Sequence, residues 1–264
     1  LPPGAESHSY EPTPADILSV RDCDLFIYLG GESDAWVDTI LDSVEPAGAV
    51  MKMVDCVELL EEEDVEGMQS QPGHDHDHEG HEGHDDHGEH EDHGLGQVAE
   101  YDEHVWLSVK NAKTAVIKIA EYLEVLDLAN SSVYAKNLQN YLKKLDSLSE
   151  IALEISKKND FFSKPLIFCD RFPFRYMTDE LGAKYFAAFS GCSAETEASF
   201  ETVAFLSKKV QEFEEPRVFV TENSDKKIAK TVIKNAGFDG KCEIFVIDSM
   251  QSATFDQIKA GKNY

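Results

Sequence analysis

Residues 74–93 read HDHDHEGHEGHDDHGEHEDH, which places eight of the chain's ten histidines among nine carboxylates. Neutral imidazole is the commonest side-chain ligand for borderline transition metals, and carboxylates add harder oxygen donors. His74, His76, His78, His81, His84, His87, His90 and His93 are therefore auxiliary metal-ligand candidates. From Glu61 to Gln97 no periodic apolar face exists, so little buried area offsets the entropy of ordering. Residues 70–96 or so read as a mobile loop inserted in a folded domain. Its histidines have no fixed geometry, and two roles stay open: the tract holds the working site, or it serves a site made elsewhere.

Outside this tract only His8 and His104 remain. Neither has a His or Cys two to four residues onward, so any site joins distant segments. Two apolar runs end in further donors: PLIFCD ends on Cys169 and Asp170, and CEIFVID ends on Asp248. In α/β sheets, ligands gather beyond the carboxyl ends of the strands. Two imidazoles, a thiolate and a carboxylate satisfy tetrahedral Zn²⁺. From spacing alone the ordinary alternatives stay open: a cysteine buried as a small apolar residue, and an aspartate capping a turn. Glu222 closes a third apolar run and is a weaker donor candidate. In DRFPFRY, Arg171 and Arg175 alternate with aromatics. Either they line a cleft and orient Asp170 or Asp248, or the segment is a strand-to-helix junction packed with rings.

Nothing in the motifs points to catalysis. His-Glu-x-x-His, Gly-x-Ser-x-Gly, phosphate-binding and dinucleotide-binding loops are all missing from the sequence. A closed site of four ligands favours binding over chemistry.

The elements that must position these residues follow an α/β rhythm. A helix is expected at 16–20, opened by Pro14, then a strand at 23–30, a helix at 32–44 and a strand at 49–57. Ser108 reads as the N-cap of a helix whose face carries Val109, Ala112, Val116, Ile119, Leu123 and Leu126. A second helix over 131–159 would span roughly 43 Å, enough to tie two lobes together. The alternation restarts with a strand at 165–170, helices at 174–182 and 196–214, a strand at 217–222, a helix at 224–236 and a strand at 242–248. Ser193, with Thr196 and Glu197 nearby, reads as the cap of the 196–214 helix. Two lobes or one sheet of about six strands would both produce this rhythm.

The chain's 264 residues can bury a sizeable core, and its net charge of −27 argues against nucleic-acid or anionic-membrane partners. No run of 18 apolar residues spans a membrane, and the five scattered cysteines do not form a disulfide scaffold.

The pieces PPGAESHSYEPTPAD, DEHVWLSVKNA, FCDRFPFRY and VID, with an acidic His-rich insertion between the first two, resemble in order and spacing a known family. These are the zinc/manganese substrate-binding proteins of bacterial ABC importers, the ZnuA/AdcA-like, cluster 9 metal-binding lipoproteins. The resemblance implies two pseudo-symmetric α/β lobes, each a sheet flanked by helices, joined by one long rigid helix with the metal cleft between them. On this chain the lobes would be 1–130 and 160–264, with the connecting helix at 131–159. The family's first and second histidine ligands look like His8 and His104, and its carboxylate ligand looks like Asp248. At the third position, where relatives have histidine or glutamate, this chain has Cys169. Either the thiolate replaces imidazole, or water, Asp170, a loop histidine or Glu222 completes the shell. The implied cargo is Zn²⁺, with Mn²⁺ the alternative. The implied role is extracytoplasmic capture, as a periplasmic protein or cell-surface lipoprotein, and delivery to a membrane ABC permease. A His-rich metallochaperone or storage protein, and a surface adhesin of the same fold, are the competing roles. Relatives carry a strand and helix before PPG and extend the last helix beyond IKAGKNY. A monomer is expected unless another chain supplies that strand.

Overall fold

Thr13 starts the first helix, α1 (Pro14–Asp22), with a capping box: its hydroxyl accepts from the Asp16 N–H while the Asp16 carboxylate accepts from the Thr13 N–H. The structure, a computed structural model, describes residues 10–69, 100–158, 162–193, 197–215, 217–251 and 253–261. After α1 come β1 (Leu25–Tyr28), α2 (Ala35–Ser43) and β2 (Ala49–Lys52). β1 and β2 pair in parallel, Leu25 opposite Ala49 through Tyr28 opposite Lys52, with α2 as the crossover. Val37 and Ile40 of α2, Val20 of α1 and Met51 of β2 are buried in this first unit.

Two long helices follow, α3 (Val109–Leu126) and α4 (Ser131–Lys158). Ser108 caps α3 by accepting from the Asn111 N–H, as its sequence position suggests. Lys113 ties the pair together through Asp146 at 2.8 Å and Ser149 at 3.2 Å. The 28 residues of α4 run roughly 42 Å into the second unit. No helix among the described residues is long and apolar enough to cross a membrane.

That second unit contains β3 (Leu166–Phe172), α5 (Arg175–Leu181), β4 (Tyr185–Ser190), α6 (Phe200–Glu212), β5 (Arg217–Thr221), α7 (Lys227–Asn235), β6 (Glu243–Ile247) and α8 (Phe255–Lys259). Its strands are all parallel, in the order β4-β3-β5-β6. Ile167, Cys169, Val218 and Val220 pack against Leu206 and Val210 of α6 and Ala229 and Val232 of α7. The opposite face carries Leu166, Phe168, Phe172 and Phe219, and Leu107, from the turn that precedes α3, packs onto it. The two sheets are thus separate, helix-flanked units joined by α4, as in a bilobed binding protein. The single-sheet alternative is excluded.

Two expectations need correction. Tyr185–Ser190 forms a largely buried strand that the sequence reading did not assign: its aromatics favour a strand, but a short apolar run without alternation cannot be told from a piece of helix by periodicity. The helix expected from 196 begins at Phe200, where Ser199, not Ser193, accepts from the Thr202 N–H.

Candidate metal centre

His104 sits in a sharp turn just before the 3₁₀ segment Val105–Leu107, which leads into α3. Its side chain is fully buried. Asp102 holds it twice: Oδ1 accepts from the His104 backbone N–H at 2.8 Å and lies 3.1 Å from ring Nδ1. A carboxylate at Nδ1 fixes tautomer and ring orientation and makes Nε2 the lone-pair nitrogen, the arrangement of metal-ligating histidines. The Asp102 turn is anchored in its own right, because Tyr176 donates its hydroxyl to the Asp102 carbonyl at 2.8 Å. On one side the ring meets Trp106 at 5.3 Å between centroids. On another it meets Gly191, where an added Cβ would lie 2.7 Å from Cε1 and 3.0 Å from Nδ1.

Gly191 also belongs to the wall of a small cavity shared with Arg171, Thr221, Glu222, Ser249 and Gln251. These residues stand at or just past the carboxyl ends of β3, β4, β5 and β6. This is where parallel α/β sheets collect ligands, and the His104 ring lies against its rim. Register helps to build the wall. Between Phe168 and Arg171 the β3–β4 pairing shifts, the signature of a bulge that re-aims side chains. Next to this shift, Asp170 accepts from the Thr221 N–H at 3.3 Å and hydroxyl at 3.1 Å, tying the ends of β3 and β5 together.

The carboxylates beyond β5 and β6 are both held. Ser249, buried, donates its N–H to Glu222 Oε2 at 2.9 Å and its hydroxyl to Oε1 at 2.7 Å. Asp248 accepts from the Met250 N–H at 2.8 Å within a tight turn. Beside this wall, Glu62 packs near Asp102 and Ser190. Burial, then the charges of Glu100 and Asp102, push its carboxyl up to about 7, against a hydrogen bond with Ser190.

Cys169 does not line the strand-end cavity. It is 1% exposed, inside the core between the sheet and its helices, with Ile167, Val218 and Val220. Burial, followed by Cys242 and Asp170, pushes its thiol far above the ordinary range, opposite to what a thiolate ligand needs. The expectation of a sulfur ligand is corrected by strand alternation: Cys169 shares its face with Ile167, the face the helices cover. Arg175 is also reassigned. It pairs with Glu63 at 3.3 Å and Asp179 at 3.8 Å rather than orienting Asp170 or Asp248, whereas Arg171 does line the cavity. His8 and the tract histidines lie outside the described residues. Among the described residues, no group of three or more His, Cys, Asp or Glu side chains is close enough to hold a metal. The sequence reading missed Gly191, Asp102 and Ser249; only Asp102, two residues before His104, had a local signal.

The family profile described as "Zinc-uptake complex component A periplasmic", ZnuA, matches residues 1–264. The chain belongs to the ZnuA family. Zinc-binding protein AdcA of Streptococcus pyogenes is 28% identical over 264 residues, covering 99% of this chain and 47% of that protein. The high-affinity zinc uptake system protein ZnuA of Bacillus subtilis is 28% identical over 268 residues, covering 100% of this chain and 74% of its own length. The chain thus spans about half the length of the first curated relatives it matches. The Zn(II)-bound ZnuA-like domain of Streptococcus pneumoniae AdcA superposes with a TM-score of 0.71 at 25% identity, covering all of this chain and 82% of that one.

Proposed function

We propose that this ZnuA-family chain captures Zn²⁺ outside the cytoplasm, in a cleft between its lobes, and surrenders it to a membrane ABC permease. The observation that carries the reading is His104: buried, held at Nδ1 by a carboxylate, and set against the cavity at the strand ends. His8 and Asp248 join it as donors. Glu222, already in the cavity wall, is the carboxylate that best replaces Cys169 in the shell. Affinity alone ranks copper and nickel above zinc on such donors, so geometry and supply decide. Relatives named as zinc-binding support zinc, and Mn²⁺ is the competitor that an oxygen-rich shell would favour. The family description and the lipoprotein relatives of Streptococcus pneumoniae support an extracytoplasmic place.

The test is calorimetric titration of the chain with residues 70–96 deleted, beside the intact chain and His104→Ala. One tight zinc equivalent should survive the deletion, and weaker equivalents should go. His104→Ala should lose the tight one. If all tight binding leaves with the tract, the metallochaperone or storage reading replaces this one.

A further inference from the structure

Trp106 is two residues beyond His104, inside one closed turn: the Leu107 N–H donates to the His104 carbonyl at 3.1 Å and the Ser108 N–H to the Val105 carbonyl at 3.4 Å. Its ring therefore cannot move far without the histidine. The Trp106 indole N–H donates to the Ser249 carbonyl at 2.9 Å, across 143 residues of sequence and from one lobe to the other. Ser249 presents this carbonyl to Trp106 from a turn with a left-handed residue. Its neighbour Met250 has φ +56, and the Asp248 carboxylate closes the turn on the Met250 N–H. The remaining two polar groups of Ser249 both go to Glu222. One continuous chain of hydrogen bonds thus runs from the histidine turn through Ser249 to the carboxylate after β5, with Asp248 fixing the turn that carries it.

We infer that Trp106 is a positioning residue: its bond to Ser249 latches the two walls of the cleft together and sets how fast zinc leaves. This rests on the cleft reading above. The imidazole arrives from one lobe and the strand-end carboxylates from the other, so a donor set made of both is only as durable as the link between them. Opening the lobes must break the indole bond, because its two ends belong to different lobes. Breaking it leaves the carbonyl of a residue only 2% exposed without this donor, a cost that slows opening.

The experiment loads the intact chain with one equivalent of zinc and follows its loss to excess chelator. Variants Trp106→Phe and Ser249→Ala, and the double variant, are run in parallel. Trp106→Phe keeps an aromatic ring beside His104 but removes the donor together with the pyrrole half of the indole, so the indole-proton readout below is its control. The variant should speed release roughly tenfold, the worth of one hydrogen bond, with the stoichiometry unchanged. Ser249→Ala keeps the carbonyl that Trp106 holds and cuts only the hydroxyl's bond to Glu222; it should speed release too, and the double variant should fall short of the product of the two, as for members of one network. Fully multiplicative effects, or release of zinc from Trp106→Phe at the parent rate, overturn the inference. A second readout needs no change at Trp106. In a Trp36→Phe background labelled at the indole nitrogen, the single remaining indole proton should exchange with solvent more slowly once zinc is loaded. Equal exchange with and without zinc also overturns the latch. If the parent chain holds no tight equivalent at all, the cleft reading fails instead, and the two failures are distinct.

Discussion

At position 191 the space that a side chain would fill belongs to the His104 ring. Gly191→Ala would place a Cβ 2.7 Å from Cε1, and the ring, pinned at Nδ1 by Asp102, has little freedom to give way. Loss of the contacts that orient a ligating imidazole typically costs about 10–100-fold in metal affinity, and a loss of about that size is predicted for Gly191→Ala in a chelator competition assay. Cys169 teaches the opposite lesson. The run LIFC is apolar at every position, so its letters do not say which residues face the helices and which face the other lobe. Only the parity of the folded strand decides, and it sends the sulfur into the core while Asp170 and Arg171 turn to the strand end.

At the scale of elements, the long helices were legible because α3 and α4 repeat apolar residues over 18 and 28 positions. The cap at Ser108 was also readable, since a hydroxyl stands just before the apolar face, whereas the Thr13 capping box was not singled out. β4 was not legible, because YFAAFS is a short apolar run without alternation, which periodicity alone assigns to neither strand nor helix. The site was half legible. His104 and the strand-end donors could be named from the sequence as candidates, but Asp102, Gly191 and Ser249 act through contacts that exist only after folding. The segment after β2 shows this best, where Glu62 packs beside Asp102 and Ser190. The ordinary Glu62 value is 4.5 and the folded value about 7, so the folded chain binds more protons than the unfolded chain between those limits. Stability should therefore fall as pH rises through that window, and the whole cost is present above it. Glu62→Gln removes the charge and keeps the shape. Melting of the metal-free variant should exceed that of the parent at pH 8 and converge with it toward pH 4.5; a difference independent of pH would contradict the assignment.

At the scale of the whole molecule, the two lobes are joined by more than α4. Leu107 enters the aromatic core of the second lobe, and Val54 and Val105 pack with Tyr176 of α5. Tyr176 accepts from the Leu60 N–H and donates to the Asp102 carbonyl, and Trp106 reaches Ser249. The histidine turn is therefore built where the lobes meet. The net charge of −27 adds a long-range pull on cations without choosing among them. Anomalous diffraction at the zinc edge, on crystals of the chain loaded with one equivalent, tests the account most directly. The account predicts a single strong peak about 2.0–2.1 Å from His104 Nε2, with carboxylate oxygen in the shell and Cys169 sulfur outside it. A peak bonded to Cys169, or zinc found with His104 uncoordinated, would contradict it.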